Sequence, residues 1–204
     1  MSGEDRFERW SPAYERSVLQ RLLFDRVHAA IFLAAGSTMV PAAVLDVGCG
    51  TGRLLREAHR RWPDATVVGV DISPGMIAEA RRRATYGQFV VGPAEHLPLE
   101  SESVDLALST MSFHHWTDKE AGVREVARVL KTDGRVILAD HAARWVRRVG
   151  AAPAPSARER IQVFTAAGLS VVEERSVLSH FLLLTVGRKR ARPKSAPVEE
   201  PPAV

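Results

Sequence analysis

Short runs of β-branched and aliphatic residues alternate, from residue 40 onward, with segments whose apolar positions recur at the helical period. Strands that are buried on both faces are continuous apolar runs, and helices between them form the crossovers of a parallel sheet. The runs predict strands at Ala43–Val47, Val67–Asp71, Gln88–Val91, Val104–Ser109 and Arg135–Asp140. The pattern therefore predicts an α/β fold with a doubly wound, mostly parallel sheet.

Three segments between these strands each carry one apolar face, as crossover helices do. The apolar positions are Leu54, Leu55, Ala58 and Trp62 in the first segment, Met76, Ile77, Ala80 and Ala84 in the second, and Val123, Val126, Ala127 and Leu130 in the third. Ser73 before Pro74 predicts an N-cap, and Thr117 with Glu120 predicts a capping box. The strand-to-helix loops thus lie at the carboxyl ends of the strands.

The pattern changes at both ends of the chain. Tyr14–Ala35 has the period of a helix, and so has the stretch Ala157–Ala167. The runs Leu169–Glu174 and Phe181–Val186 are separated by few residues, which predicts an antiparallel pair. We expect an N-terminal helical cap over 1–40, one domain over 41–187, and a basic, Pro-rich, disordered tail over 188–204.

The composition favours one domain in a reducing compartment. A chain of 204 residues, 46% of them hydrophobic, can form one substantial core. Cys49 is the only cysteine, so no intrachain disulfide can form. The charged N-terminus is unlike a secretion signal, and no apolar run approaches the roughly 18 to 20 residues that span a bilayer. We expect a cytoplasmic protein without a membrane span.

The net charge of +4 is concentrated in the tail. Residues 188–204 hold five basic and two acidic side chains, which leaves about +1 for the rest of the chain. A solvated tail explains this charge more simply than an acidic partner does, and no nucleic-acid-binding module is visible. We therefore do not expect nucleic acid as a partner.

The segment Val44–Gly52, VLDVGCGTG, has the most specific chemistry of the chain. Gly48, Gly50 and Gly52 form a turn that a ligand can approach closely, and Asp71 follows at the spacing of an acid that binds a ribose diol. The acid within the first strand, Asp46, would repel a pyrophosphate but suits an amino group or a sulfonium. The pattern indicates a cationic nucleoside cofactor without phosphate, such as S-adenosylmethionine.

Four ordered blocks between about Val44 and Asp140 resemble the class I S-adenosylmethionine-dependent methyltransferases, in particular the small-molecule group typified by the ubiquinone/menaquinone biosynthesis C-methyltransferases. The blocks are VLDVGCGTG, VVGVDISPGMI, GPAEHLPLESESVDLALSTMSFHHW and EVARVLKTDGRVILAD. The resemblance implies a Rossmann-like methyltransferase fold of seven strands, the last antiparallel, and S-adenosyl-L-methionine as cofactor.

The resemblance also implies cofactor-binding roles for seven residues. Asp46 and the backbone of Gly48 and Gly50 would hold the methionine portion, Asp71 the ribose hydroxyls, Ile72 the adenine face and Ala94 an adenine nitrogen through its N–H, with Ser109 near the methionine. The family commonly has an acid before that alanine, where this chain has Pro93. Glu95 is the candidate to replace it.

Methyl transfer is an in-line displacement at a carbon that the sulfonium already activates, so a general base is optional. His114 and His115 follow the fourth strand, and Asp140 and His141 end the fifth. We take His114 and His115 as the catalytic candidates, with loop packing as the alternative. No three ligands have a recognisable metal spacing, so we expect no metal.

The acceptor side is less defined by the sequence. A small-molecule acceptor is expected, with Trp10 and Tyr14 as wall residues or as a staple to the first helix, and with Arg144, Arg147 and Arg148 as a solvated face or a clamp for an acidic acceptor. The segment that follows the fifth strand, Asp140–Ser156, is short. The cleft therefore stays open unless the N-terminal helix or a second subunit, as in a homodimer, closes it. Two alternatives stay open, a catalytically silent cofactor-binding subunit and an RNA methyltransferase.

Overall fold

The computed structural model describes residues 18–36, 39–142, 155–178 and 181–191, with side chains from residue 24 onward. The helices are α1 (Val18–Ala35), α2 (Arg53–Arg61), α3 (Pro74–Arg83), α4 (Lys119–Val129) and α5 (Ala157–Ala166). The strands are β1 (Ala43–Val47), β2 (Thr66–Asp71), β3 (Gln88–Val91), β4 (Val104–Thr110), β5 (Leu130–His141), β6 (Leu169–Val177) and β7 (Leu182–Lys189), with a 3₁₀ turn at Phe113–His115.

The seven strands form one sheet in the order β3-β2-β1-β4-β5-β7-β6. Strands β1 to β5 pair in parallel, and β7 lies antiparallel to both β5 and β6. The chain begins at the centre of the sheet and moves first to one edge and then to the other. The predicted α/β class, with its antiparallel last strand, is confirmed, and the strand order changes direction beside β1, where α/β sheets bind ligands.

Two apolar layers cover the sheet. On one face, buried side chains of α1, α2 and α3, such as Val27, Ile31, Leu55 and Ile77, pack with β1, β4 and β5. On the other face, α4 and α5 contribute a second cluster that includes Phe164. Helices on both faces explain why the central strands are apolar at successive positions.

Several boundaries differ from those predicted. Strand β5 begins at Leu130 instead of Arg135, and β7 extends to Lys189, two residues into the predicted tail. The capping box at Thr117 was wrong, because Asp118 is the N-cap of α4 and its carboxylate accepts the N–H of Ala121 at 2.8 Å. The Ser73 cap is confirmed, since its hydroxyl accepts the N–H of Met76 and Pro74 occupies the first turn.

Some expectations concern residues outside the described ranges. These are the helix start at Tyr14, the wall residue Trp10, the arginines at 144, 147 and 148, and the tail from residue 192. Within the described ranges, no helix is both long and apolar enough to cross a membrane.

The packing of α5 against β7 generates a stability prediction. Phe164 is fully buried, and its ring occupies the space beside Gly187 where a side chain would otherwise lie. Phe164→Ala should lower the free energy of unfolding by about 3–5 kcal/mol in urea denaturation, because it leaves a cavity that the sheet cannot fill. The control is Ile161→Ala on the same helix, where the side chain is 41% exposed and the loss should be about 1 kcal/mol or less. Equal losses for the two variants would contradict this account of the core.

Candidate functional site

A cavity of about 470 Å³ opens at the carboxyl ends of β1, β2 and β4. Its walls come from the glycine turn after β1, the end of β2, the loops after β3 and β4, and one side of α1. Parallel strands place all of these loops at the same edge of the sheet, although they are far apart in the sequence. Six of the seven predicted cofactor-binding residues line the cavity: Asp46, Gly48, Gly50, Asp71, Ile72 and Ala94.

The glycine turn has a backbone shape that other residues would not adopt. Gly48, Gly50 and Gly52 all have positive φ, at 73°, 53° and 75°. At Gly48 a Cβ would lie 1.8 Å from the Oγ of Ser112, so even alanine would collide with the loop after β4. The turn leads into α2, whose N-cap Gly52 makes no side-chain cap hydrogen bond, and the first residues of this helix, Arg53 and Leu54, line the cavity.

Asp71 connects two loops of the cavity. Its Oδ2 accepts the N–H of Gly50 at 2.8 Å, and its Oδ1 accepts the N–H of Ser73 at 2.9 Å. Burial raises the pKa of this carboxyl, and the two N–H donors oppose that rise. Each oxygen keeps a lone pair, so the carboxylate can accept a pair of neighbouring hydroxyls from a ligand.

Asp46 is the most unusual group of the site. The residue is 2% exposed, and among the residues that the structure describes none donates a hydrogen bond to its Oδ1. Burial, and then the nearby charge of Asp71, raise the pKa of Asp46 to about 8. A buried carboxyl oxygen without a donor costs free energy, and a cationic ligand in the cavity would offset that cost.

The adenine side contains both apolar and polar groups. Ile72 lies at the cavity wall with 53% of its surface exposed, and Ala94 lies opposite on the loop after β3. Pro93 and Glu95 also line the cavity. One oxygen of Glu95 accepts the N–H of Asp118, so this side chain is partly committed to holding the start of α4.

At the end of β4, Ser109 does not occupy the cavity position that the resemblance implied. Its side chain lies against the neighbouring strand β1, where its hydroxyl donates to the carbonyl of Val47 at 2.9 Å. Since side chains alternate along a strand, the next residue, Thr110, takes the cavity position. Its Oγ1 is buried, with no hydrogen-bond partner among the described residues. Met111 and Ser112 complete this wall.

His114 belongs to a buried polar network and does not line the cavity. Asp140 is fully buried and accepts three hydrogen bonds, from the N–H of His114, from the Nδ1 of His114 and from the N–H of His141, at 2.7–2.8 Å. Burial alone would raise the pKa of Asp140, but the hydrogen bonds from His114 hold it below its usual value. The network therefore fixes the 3₁₀ turn to the end of β5.

His115 is the imidazole of this turn that reaches the cavity, with its ring centroid 3.8 Å from that of His114. Burial, and then the proximity of His114, lower the pKa of His115 to about 4. This imidazole is therefore neutral at pH 7 and only weakly basic.

His114, Asp140 and His141 could each offer a ligand atom to a metal, since these atoms lie within 4.8 Å of one another. The three N–H donors already engage the Asp140 carboxylate, and the buried Arg160 adds a positive charge nearby. Hydrogen bonding accounts for the arrangement, and we assign no metal to it.

The N-terminal helix was a predicted cover of the cleft, but no sequence pattern identified which residues of α1 line the cavity. Phe24 and His28 line it, one helical turn apart. His28 is 2% exposed, and its Nδ1 lies 3.0 Å from the Oε1 of Glu57 on α2. The available signal was a histidine next to Val27 and one turn before Ile31, within the apolar face of the predicted helix.

The cavity residues fit S-adenosylmethionine. The Asp46 carboxyl, whose Oδ1 has no hydrogen-bond partner among the described residues, suits a cationic amino group. The oriented Asp71 carboxylate suits a diol, and Ile72 suits an aromatic base. The three features lie along one continuous cavity. A phosphate would instead meet two carboxyls at the turn.

Comparison with known proteins agrees with this fit. Residues 45–138 match the family described as methyltransferase domain. The malonyl-[acyl-carrier protein] O-methyltransferase of Dechloromonas aromatica is 38% identical over 134 residues, which cover 65% of this chain and 48% of that protein. The demethylmenaquinone methyltransferase of Thermotoga maritima is 36% identical over 98 residues, which cover 48% and 43%. The chain therefore spans about half the length of these curated relatives.

The fold has a counterpart among solved structures. One chain of the complex between the Haloferax volcanii Trm112 methyltransferase activator and a methyltransferase superposes with a TM-score of 0.78 at 24% identity, covering 94% of this chain and 99% of that one. At this identity the likeness concerns the fold alone. The family match and the methyltransferase names of the relatives together show that residues 45–138 of this chain form a methyltransferase domain.

Proposed function

We propose that this protein transfers a methyl group from S-adenosyl-L-methionine to a small organic acceptor. The observation that carries the proposal is Asp46, a buried carboxyl in the cavity wall whose Oδ1 receives no hydrogen bond from the part of the chain that the structure describes. The amino group of the cofactor's methionine portion would bind there, next to the backbone of Gly48 and Gly50. Asp71 would hold the ribose hydroxyls, and Ile72 and Ala94 the adenine.

The charges of the cavity support this cofactor over a dinucleotide. Asp46 and Asp71 interact strongly enough for Asp71 to raise the pKa of Asp46. Two close carboxyls favour a cation and oppose a pyrophosphate. The cofactor supplies an activated methyl carbon, and the chain's own residues need to hold donor and acceptor close together in a dry site.

The acceptor would meet the wall formed by Thr110, Ser112 and His115. The neutral His115 can orient an acceptor by hydrogen bonding, and its low basicity makes it a weak proton acceptor. His114, which lies behind that wall, would position His115 through ring contact. The relatives' names suggest two acceptor types for a first screen, acyl-chain carboxylates and quinols. The single cysteine, Cys49, supports a cytoplasmic setting.

The direct test is transfer of an isotopically labelled methyl group from the cofactor to a panel of small carboxylic acids, phenols, quinols, thiols and amines. A labelled small product, with release of S-adenosylhomocysteine, is expected. Tight cofactor binding without transfer to any of them would favour the silent subunit, and a labelled RNA product would favour the RNA methyltransferase. Absence of cofactor binding would overturn the proposal.

Removing the Asp71 carboxylate should weaken cofactor binding. Asp71→Ala deletes charge-assisted hydrogen bonds worth about 1.5–3 kcal/mol, so the Kd for S-adenosylmethionine should rise roughly ten- to a hundredfold in calorimetry. Asp71→Asn, which retains one acceptor oxygen, should lose less. Asp64→Ala, at an exposed position between α2 and β2, serves as the control and should bind normally. An unchanged Kd in Asp71→Ala would contradict the assignment.

Cofactor binding should release a proton from Asp46. With its pKa raised to about 8, Asp46 is mostly protonated at pH 7, and a bound ammonium group favours the ionised form. The affinity for S-adenosylhomocysteine should therefore increase with pH, approaching roughly tenfold per unit between pH 6 and 7.

Calorimetry in buffers of different ionisation enthalpy should show release of nearly one proton at pH 7. Asp46→Asn should abolish the release, and 5′-methylthioadenosine, which lacks the amino group, should bind without it. Proton release that persists in Asp46→Asn would assign it to another group.

A further inference from the structure

Three imidazoles lie in or beside the cavity, and they differ in what they can do. His114 donates to Asp140 and does not line the cavity. His115 lines the cavity, but its pKa near 4 makes it a poor proton acceptor. His28 of α1 also lines the cavity, and its Nδ1 contacts the carboxylate of Glu57 on α2. We propose that His28 is the general base that takes the proton from the methyl acceptor, with Glu57 as its positioning residue.

The contact with Glu57 defines the form of the His28 ring. An ionised carboxylate can only accept a hydrogen bond, so the His28 Nδ1, 3.0 Å from the Glu57 Oε1, carries the proton. In the neutral ring the lone pair is then on Nε2, the nitrogen left for the cavity. A carboxylate that fixes the tautomer and stabilises the imidazolium is the arrangement that general-base histidines use in other enzymes.

The surroundings hold this pair in place. One turn earlier, Arg53 of α2 forms an ion pair with Asp25 of α1, so two polar links join the helices at successive turns. The Phe24 ring forms the adjoining part of the cavity wall, and its centroid lies 5.9 Å from that of the His28 ring. The His28 side chain is 3% exposed, which keeps the imidazole away from bulk water. The burial of a histidine within the apolar face of α1 is thereby accounted for.

The acceptor's O–H, N–H or S–H proton moves to His28 Nε2 as the acceptor atom bonds to the methyl carbon. The pair of electrons in the carbon–sulfur bond goes to sulfur and gives neutral S-adenosylhomocysteine. The resulting imidazolium stays bonded to Glu57 and later loses its proton to water. This inference rests on the proposed methyl transfer.

The test uses the full chain and a phenol, quinol, thiol or amine acceptor identified in the labelled-methyl screen. A screen that yields only carboxylate acceptors, which hold no proton at pH 7, would overturn the role of His28. His28→Asn keeps an N–H near the Nδ1 position and removes Nε2, so Kd for S-adenosylhomocysteine should stay within about threefold while kcat falls about 10²–10⁴-fold. Glu57→Gln should lower kcat less and leave Kd unchanged. His96→Asn, at an exposed position on the loop after β3, is the matched control and should retain full kcat. His115→Asn should cost less than His28→Asn.

Two further measurements separate a chemical from a structural role. The pH–rate profiles of the wild type and of His28→Asn should differ in shape, while the Tm of that variant confirms its fold. In ¹⁵N NMR of the S-adenosylhomocysteine complex, the His28 ring should carry its proton on Nδ1.

Wild-type transfer with an equal kcat in His28→Asn, or a proton on Nε2 of the neutral ring, would overturn the role of His28 alone. Absence of wild-type transfer would instead overturn the proposed function. If His28→Asn does not fold, His28→Gln replaces it under the same criteria.

Discussion

The hydrogen bond from the Gly50 N–H to the Asp71 carboxylate joins the turn after β1 to the end of β2, and the shape of the cavity depends on it. The N–H groups of Gly48 and Cys49 add to this connection by donating to the carbonyl of Val70. The turn is therefore fixed to the neighbouring strand before any ligand arrives. A preformed turn costs little ordering entropy on binding, which favours affinity for a small cofactor.

The two aspartates of the site differ in how many hydrogen-bond donors surround them. Asp71 accepts hydrogen bonds from two backbone N–H groups, whereas one oxygen of Asp46 has no partner within the described structure. Burial, and then the charge of Asp71, raise the pKa of Asp46. The folded protein thus retains at its cavity a group that lowers its own stability, which is common at binding sites. A cationic ligand turns that cost into selectivity, because a positive group favours the ionised form of Asp46 beside Asp71.

The three histidines in or beside the cavity have different surroundings because they occupy different positions in the tertiary structure. His114 and His115 are adjacent in sequence, yet Asp140 binds the first, and the second reaches the cavity. Burial, and then the closeness of the two rings, lowers the pKa of His115. His28, from a helix that precedes the sheet, has a carboxylate partner instead of a second imidazole. The difference between these environments comes from which element packs against each ring.

The sequence by itself determined the α/β class, the crossover helices, the chemistry of the glycine turn and the pair Asp46 and Asp71, because local periodicity and spacing encode them. It could not determine that Ser109 points into the sheet and Thr110 into the cavity, since a strand buried on both faces has no polar alternation to reveal its register. Nor could it pair His28 with Glu57, which lie 29 residues apart on different helices. Such contacts exist only once α1 packs on α2, so the tertiary structure alone decided them.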